Sequence, residues 1–215
     1  MSRRQYARRI KQKRKARMQR FRQEAVVQMP YSVHASTCGA RIAMLTETKL
    51  SLRQFDTKDL ESVIEINRTC LPENYASFFF MDTFQNCPSA FRVAQVGTQT
   101  VGYIMCRIEH GFSDIKRLKF VRKGHIISIA VMPEYRRVGI ASELVKQALN
   151  ALQELKADEC YLEVRETNET AIKLYEKLKF SLARRVPHYY ADGAEALVMV
   201  VTLDGNDLPS QNVQA

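Results

Sequence analysis

"IISIAVMPEYRRVGIASELVKQAL", residues 126–149, changes character at its middle. Ile126, Ile127, Ile129, Ala130 and Val131 form a β-branched apolar run closed by Pro133, the pattern of a buried strand. Beyond the junction, Ile140, Leu144, Val145, Ala148, Leu149 and Leu152 recur at spacings of three and four, giving one apolar helix face suited to covering a sheet. The helix is predicted to start near Val138. A helix's first turn has N–H groups without intrahelical partners and carries the positive end of the dipole, so this junction is a natural anion site. Arg136 and Arg137 add two full charges, while Gly139 has no Cβ and Ala141 is small, so a bulky phosphate can approach the backbone. The junction reads as a pyrophosphate cradle; the plainer alternative is a strand–helix turn with solvated arginines. Neither GxxxxGK[ST] nor GxGxxG follows the strand, which argues against a nucleoside triphosphate.

The 215 residues, 46% hydrophobic, are enough for one globular domain with chain to spare. Residues 1–24 hold 11 Lys/Arg against the single acid Glu24, a net +10 that equals the formal charge of the whole chain. The charge therefore describes a basic tail and says little about the domain's own partners. Five scattered cysteines show no CxxC or metal-finger spacing, and no apolar leader or membrane-length span is apparent, so a reduced, cytoplasmic protein without membrane attachment is expected. Residues 25–48, with Pro30, Gly39 and several Ser/Thr, read as a linker, and residues 204–215 as a flexible C-terminal tail.

Within 49–203, Leu50 and Leu52 start a strand, and Asp56 caps a helix with Leu60, Val63 and Ile64 inward that ends before Pro72. A short helix is expected to hold Tyr75, Phe78, Phe79 and Phe84. Ala90–Val96 and Thr100–Glu109 read as a hairpin around Gly97, followed by a Lys/Arg-rich loop to Gly124. After the opening unit come a strand Asp158–Val164, a helix capped by Asn168 with Ala171, Leu174, Tyr175 and Leu178 on one face, and a hairpin of Phe180–Val186 with Glu195–Leu203 turning at Asp192 and Gly193. Ile126–Val164 should form a right-handed parallel crossover, flanked by antiparallel hairpins. The expected fold class is α/β (α+β): a mixed, mostly antiparallel sheet of about seven strands with a central parallel pair and about four helices.

Four segments in order, "LPENY", "SIAVMPEYRRVGIASELV", "YLEVRETNETAIKLYEKLKF" and "HYYADGAEALVMV", resemble the GNAT acetyltransferases, and among them the catalytic subunits that acetylate protein N-termini, archaeal type. The resemblance covers 49–203. It implies the GNAT fold and acetyl-CoA as donor, with its pyrophosphate on Arg136, Arg137, Val138, Gly139, Ile140, Ala141 and Ser142, and its pantetheine along Ile129, Ala130 and Val131. It also places Asn168 and Tyr175 near the thiol; as residues they read equally as helix cap and core aromatic.

An α-ammonium must lose a proton before its nitrogen can attack a thioester, so a base is needed beside it. His125 and Glu163 lie on the two neighbouring parallel strands, near enough to share a proton or a water. A lone histidine at a strand start is also satisfied by a purely structural role. By resemblance, positions matching His125 and Glu163 carry acid/base chemistry in one branch of these enzymes, and the position of Glu73 carries it in the other; this chain has both. Two ligands without a third do not make a metal site, and no metal is expected. The resemblance lines the groove for a protein N-terminus with Leu71, Pro72, Tyr75, Tyr189 and Tyr190; the tyrosine pair also reads as a brace for its hairpin turn.

Residues 3–22 suggest a function of another class, contact with RNA or the ribosome, with Tyr6, Ile10, Met18 and Phe21 as an imperfect apolar stripe. The plainer readings are a solvated helix, a disordered arm, or a start codon upstream of the true one, with Met44 just ahead of the domain. The alternative enzyme is a GNAT acting on one ribosomal protein or a small amine. The chain is read as a monomer, with an auxiliary subunit left open.

Overall fold

The computed structural model describes residues 50–116 and 118–203; the basic tail, the linker and the C-terminal tail lie outside the described residues. Seven strands form one sheet in the order β1-β2-β3-β4-β5-β7-β6. They are β1 (Leu50–Gln54), β2 (Arg92–Val96), β3 (Gln99–Phe112), β4 (Phe120–Val131), β5 (Glu159–Arg165), β6 (Ser181–Val186) and β7 (Ala196–Thr202). The helices are α1 (Leu60–Cys70), α2 (Ser77–Asn86), α3 (Ile140–Glu154) and α4 (Glu169–Lys177). Among the described residues only β4 and β5 pair in parallel, joined by the α3 crossover; every other neighbour is antiparallel. The mixed sheet and its central parallel pair are those expected, and among the described residues no helix is long and apolar enough to cross a membrane.

The two faces of the sheet carry separate cores. On one, the stripe Ile140, Leu144, Val145, Ala148, Leu149 and Leu152 of α3 packs on Ile104, Cys106, Ile126 and Leu162, joined by Tyr175 and Leu178 from α4 and its C-terminal end. On the other, Val63 and Ile66 of α1 and Phe80 of α2 pack on Val93, Tyr103 and Met105. Side-chain alternation along each strand sends successive residues to these two cores.

Four expectations need correction. The segment from Glu109 to Gly124 is largely strand: Glu109 pairs with Lys123, His110 with Arg122, Gly111 with Val121 and Phe112 with Phe120, so only a short turn remains. Its charge hid this, because Lys123 is buried yet paired with Asp114 and with Glu159 at 3.1 Å. The helix α3 starts at Ile140, with Gly139 rather than Val138 at its boundary. Tyr75 precedes α2 and stacks on Phe79 at 4.8 Å, and Asp56 caps a single 3-10 turn, Thr57–Asp59, that leads into α1.

Candidate active site

β4 and β5 run side by side only from Lys123 and Glu159 to Ile126 and Leu162. Past that point β4 stays with β3 as far as Val131, while β5 stays with β7 as far as Arg165. The sheet splits, and the backbone of Ile127–Val131 facing the split has no strand partner. The opening is a cleft of about 860 Å³ running from the start of α3, past α4, to the α1–α2 loop and the β6–β7 turn. Every residue expected at the site lines it except Val138, which is 39% exposed outside the wall.

At one end, Gly139 sits at φ +92°, a backbone conformation disfavoured for side-chain-bearing residues, and an added Cβ would meet no atom within 4 Å. The first helical bond of α3 runs from Glu143 N–H to the Gly139 carbonyl at 3.1 Å, so the N–H groups of Ile140, Ala141 and Ser142 precede the hydrogen-bond ladder. Arg136 folds back, its Nε donating to the Val131 carbonyl at 2.7 Å, which anchors a guanidinium at the mouth of this turn. Gly139, Ile140, Ala141 and Ser142 thus form a concavity of donors with open space above a residue lacking Cβ, which fits a pyrophosphate. Farther along, Asn168 accepts from Ala171 N–H at 3.2 Å and caps α4, while Tyr175 is buried under the cleft floor, its hydroxyl pKa pushed up by desolvation.

Near the other end, His125 and Glu163 meet across β4 and β5, Nε2 to Oε2 at 2.7 Å. The register explains this: His125 faces Tyr161 on β5, and Glu163 follows two residues on, on the same side of the sheet. The His125 ring stacks on Tyr161 at 4.3 Å. Burial disfavours the imidazolium, but the Glu163 charge and the two carboxylates near the ring nitrogens outweigh it, with Arg107 opposing, and the His125 pKa is raised. Burial likewise works against the Glu163 carboxylate, yet His125, Arg184 and a hydrogen bond from Tyr189 hold its pKa below the usual range.

Glu73 does not join this pair; its Oε1 lies 3.3 Å from Arg165 Nη2. Arg165 also reaches Asp192 at 2.7 Å and lies over the Tyr190 ring at 3.9 Å, so one guanidinium ties the α1–α2 loop to the β6–β7 turn. Beneath the loop, fully buried Asn67 donates to the Glu73 carbonyl at 3.2 Å and to Tyr103 Oη at 2.9 Å, and accepts from Tyr75 N–H at 3.3 Å. Leu71, Pro72 and Tyr75 thereby face Tyr189 and Tyr190, whose rings meet edge-on at 5.1 Å over the tight turn made by Gly193. Sequence reading missed Asn67 and Arg165. The one signal for Arg165 was its place two residues beyond Glu163 on the same strand.

Residues 60–180 match the model of the acetyltransferase (GNAT) family. An N-alpha-acetyltransferase of Sulfurisphaera tokodaii is 46% identical over 154 residues, 71% of this chain and 92% of that protein. Among solved structures, Ard1 from Thermoplasma volcanium superposes with a TM-score of 0.62 at 31% identity, over 71% of this chain and 97% of its own. Arabidopsis thaliana Naa50 in complex with the bisubstrate analogue CoA-Ac-MVNAL does so with a TM-score of 0.61 at 26% identity, over 71% and 98%.

Proposed function

This chain belongs to the GNAT acetyltransferase family, and from that premise we propose that it transfers the acetyl group of acetyl-CoA to the α-amine of protein N-termini by direct attack within a ternary complex. The observation that carries the reading is the single cleft that joins a helix-start anion cradle to two sets of proton acceptors. Arg136, Arg137 and the backbone from Gly139 to Ser142 bind the pyrophosphate, the edge of Ile129–Val131 that no strand covers, its Val131 carbonyl already held by Arg136, pairs with the pantetheine, and Asn168 and Tyr175 flank the thioester. The α-ammonium gives a proton to one of these acceptors, its nitrogen bonds to the thioester carbonyl carbon, the C–S bond breaks, and the second proton shed by that nitrogen balances the one taken up by the departing sulfur.

His125 with Glu163 forms one proton route and Glu73 the other. Leu71, Pro72, Tyr75, Tyr189 and Tyr190 wall the acceptor groove, which suits a chain terminus better than an internal lysine. Arg165 holds Glu73 and the β6–β7 turn at a fixed spacing, so it supports both walls of that groove. The protein works in the cytoplasm; the four free thiols Cys70, Cys87, Cys106 and Cys160 among the described residues suit a reducing compartment. The basic segment 3–22 brings the enzyme to the ribosome through RNA phosphates. Acetyl transfer to a panel of short peptides differing in residues one and two tests the activity and reads out its preference. Salt-dependent sedimentation with ribosomes, with and without residues 1–44, tests the tail.

A further inference from the structure

Behind the cleft wall, on the side of His125 away from Glu163, lies a second carboxylate that the proposed chemistry does not use. Glu109 on β3 places Oε1 3.7 Å from His125 Nδ1, an atom that is buried and without a hydrogen-bond partner. The carboxylate is fixed from two directions, by Arg107 Nη2 at 2.5 Å and by the Tyr161 hydroxyl donating at 2.9 Å. Tyr161 is also the ring on which His125 stacks. None of Arg107, Glu109 and Tyr161 lines the cleft.

Resting on the acetyltransferase reading, we propose that Glu109 is a positioning residue for His125: it holds the Nδ1 side of the imidazole and, with Arg107, sets how readily the ring keeps its second proton. Glu109 on the Nδ1 side and Glu163 on the Nε2 side both favour the doubly protonated ring, so loss of the Glu109 charge should let His125 give up its second proton more readily.

The charges around the ring support this. β3 contributes Arg107 and Glu109, β4 contributes Lys123, β5 contributes Glu159, Tyr161 and Glu163, the β3–β4 turn contributes Asp114, β6 contributes Arg184, and the β6–β7 connection contributes the Tyr189 hydroxyl. The carboxylates of Glu109, Asp114, Glu159 and Glu163 outnumber the cations Arg107, Lys123 and Arg184 by one, so a protonated His125 brings this network, which runs from buried Lys123 to half-exposed Arg184, to neutrality. The Glu109 carboxylate stays ionised, its pKa held at about 2: burial opposes ionisation, but the neighbouring His125 ring, the Arg107 charge and the Tyr161 hydroxyl prevail. His125 therefore rests as the imidazolium at low pH and becomes a base only as pH rises through its raised pKa.

The test is a pH titration of the histidine side chains by NMR on full-length protein, with His125 assigned through its loss in His125→Ala, run beside kcat/KM on a Met-starting peptide. Glu109→Gln removes the stabilising charge, so the His125 midpoint should fall by about one to three pH units, and the rise of kcat/KM should move to lower pH with it. Glu109→Asp, which keeps the charge, should stay near wild type. Arg107→Gln removes a cation that opposes the imidazolium and should move the midpoint upward, and this opposite sign carries the test if Glu109→Gln does not fold. An unmoved His125 midpoint in folded Glu109→Gln, or in Arg107→Gln where the former fails to fold, would overturn the proposal. The NMR midpoints need no turnover, so absent acetyl transfer by the wild type would count against the acetyltransferase reading alone.

Discussion

Replacing Gly139 with leucine separates the stability of the α3 start from its proposed ligand. The φ of +92° makes any side chain strained there, at a cost on the order of 1–2 kcal/mol. The Cβ itself adds no clash in the free protein, since nothing lies within 4 Å of it, so the variant should fold with a modestly lower Tm. The new side chain would instead fill the space in front of the Ile140, Ala141 and Ser142 N–H groups. Losing two charge-assisted bonds at about 1.5–3 kcal/mol each would weaken the acetyl-CoA Kd by roughly 10²- to 10⁴-fold. Gly193→Leu is the matched control: φ is +84°, the nearest atom to a Cβ is His188 Nδ1 at 3.9 Å, and the residue lies in the β6–β7 turn away from α3. It should lose similar stability and keep its acetyl-CoA affinity. Calorimetric titration and thermal melting on both variants read the two effects apart. Unchanged affinity in folded Gly139→Leu, or an equal affinity loss in Gly193→Leu, would refute the cradle.

The two proton routes should separate by substrate: His125→Ala or Glu163→Ala should cost most on Met-starting peptides, and Glu73→Ala most on Ser- or Ala-starting ones, by about 10²- to 10⁴-fold in kcat/KM. Parallel losses on every peptide would point to one shared route. Asn67→Ala strips the α1–α2 loop of its buried bonds and leaves their partners unsatisfied, so it should lower stability by about 1–3 kcal/mol; peptide KM should rise while the acetyl-CoA Kd holds. Lys123→Met leaves Asp114 and Glu159 buried without their shared cation and should cost about 3–5 kcal/mol in denaturant unfolding, with little change in acetyl-CoA affinity.

What could be read from the sequence was what neighbours in sequence determine. The spacing of Leu144, Val145, Ala148 and Leu149 announces a helix face, and Gly139 after two arginines announces an open, positively charged start; both depend on a few adjacent residues. The pairing of His125 with Glu163 was accessible only because the strand-helix-strand order makes β4 and β5 neighbours. Less accessible were contacts set by distant register. Glu73 meets Arg165 across 92 positions and Tyr161 meets Glu109 across 52, and no local pattern encodes either. The β3–β4 extension was hidden for a different reason: buried Lys123 breaks the hydrophobic alternation that marks a strand, and only the ion pairs from Asp114 and Glu159 make its burial tolerable. Val138 was misplaced because the tight turn through Arg137, at φ 69°, and Gly139 sends it outward.

The most direct measurement uses one short peptide carrying both a free α-amine and an internal lysine, incubated with the full-length chain and acetyl-CoA, the product being located by tandem mass spectrometry. A matched peptide with a blocked N-terminus runs beside it. A single acetyl group is expected on the α-amine of the first peptide and none on the second. Acetyl on the lysine of either peptide, or no transfer at all from a chain shown by calorimetry to bind acetyl-CoA, would contradict that expectation.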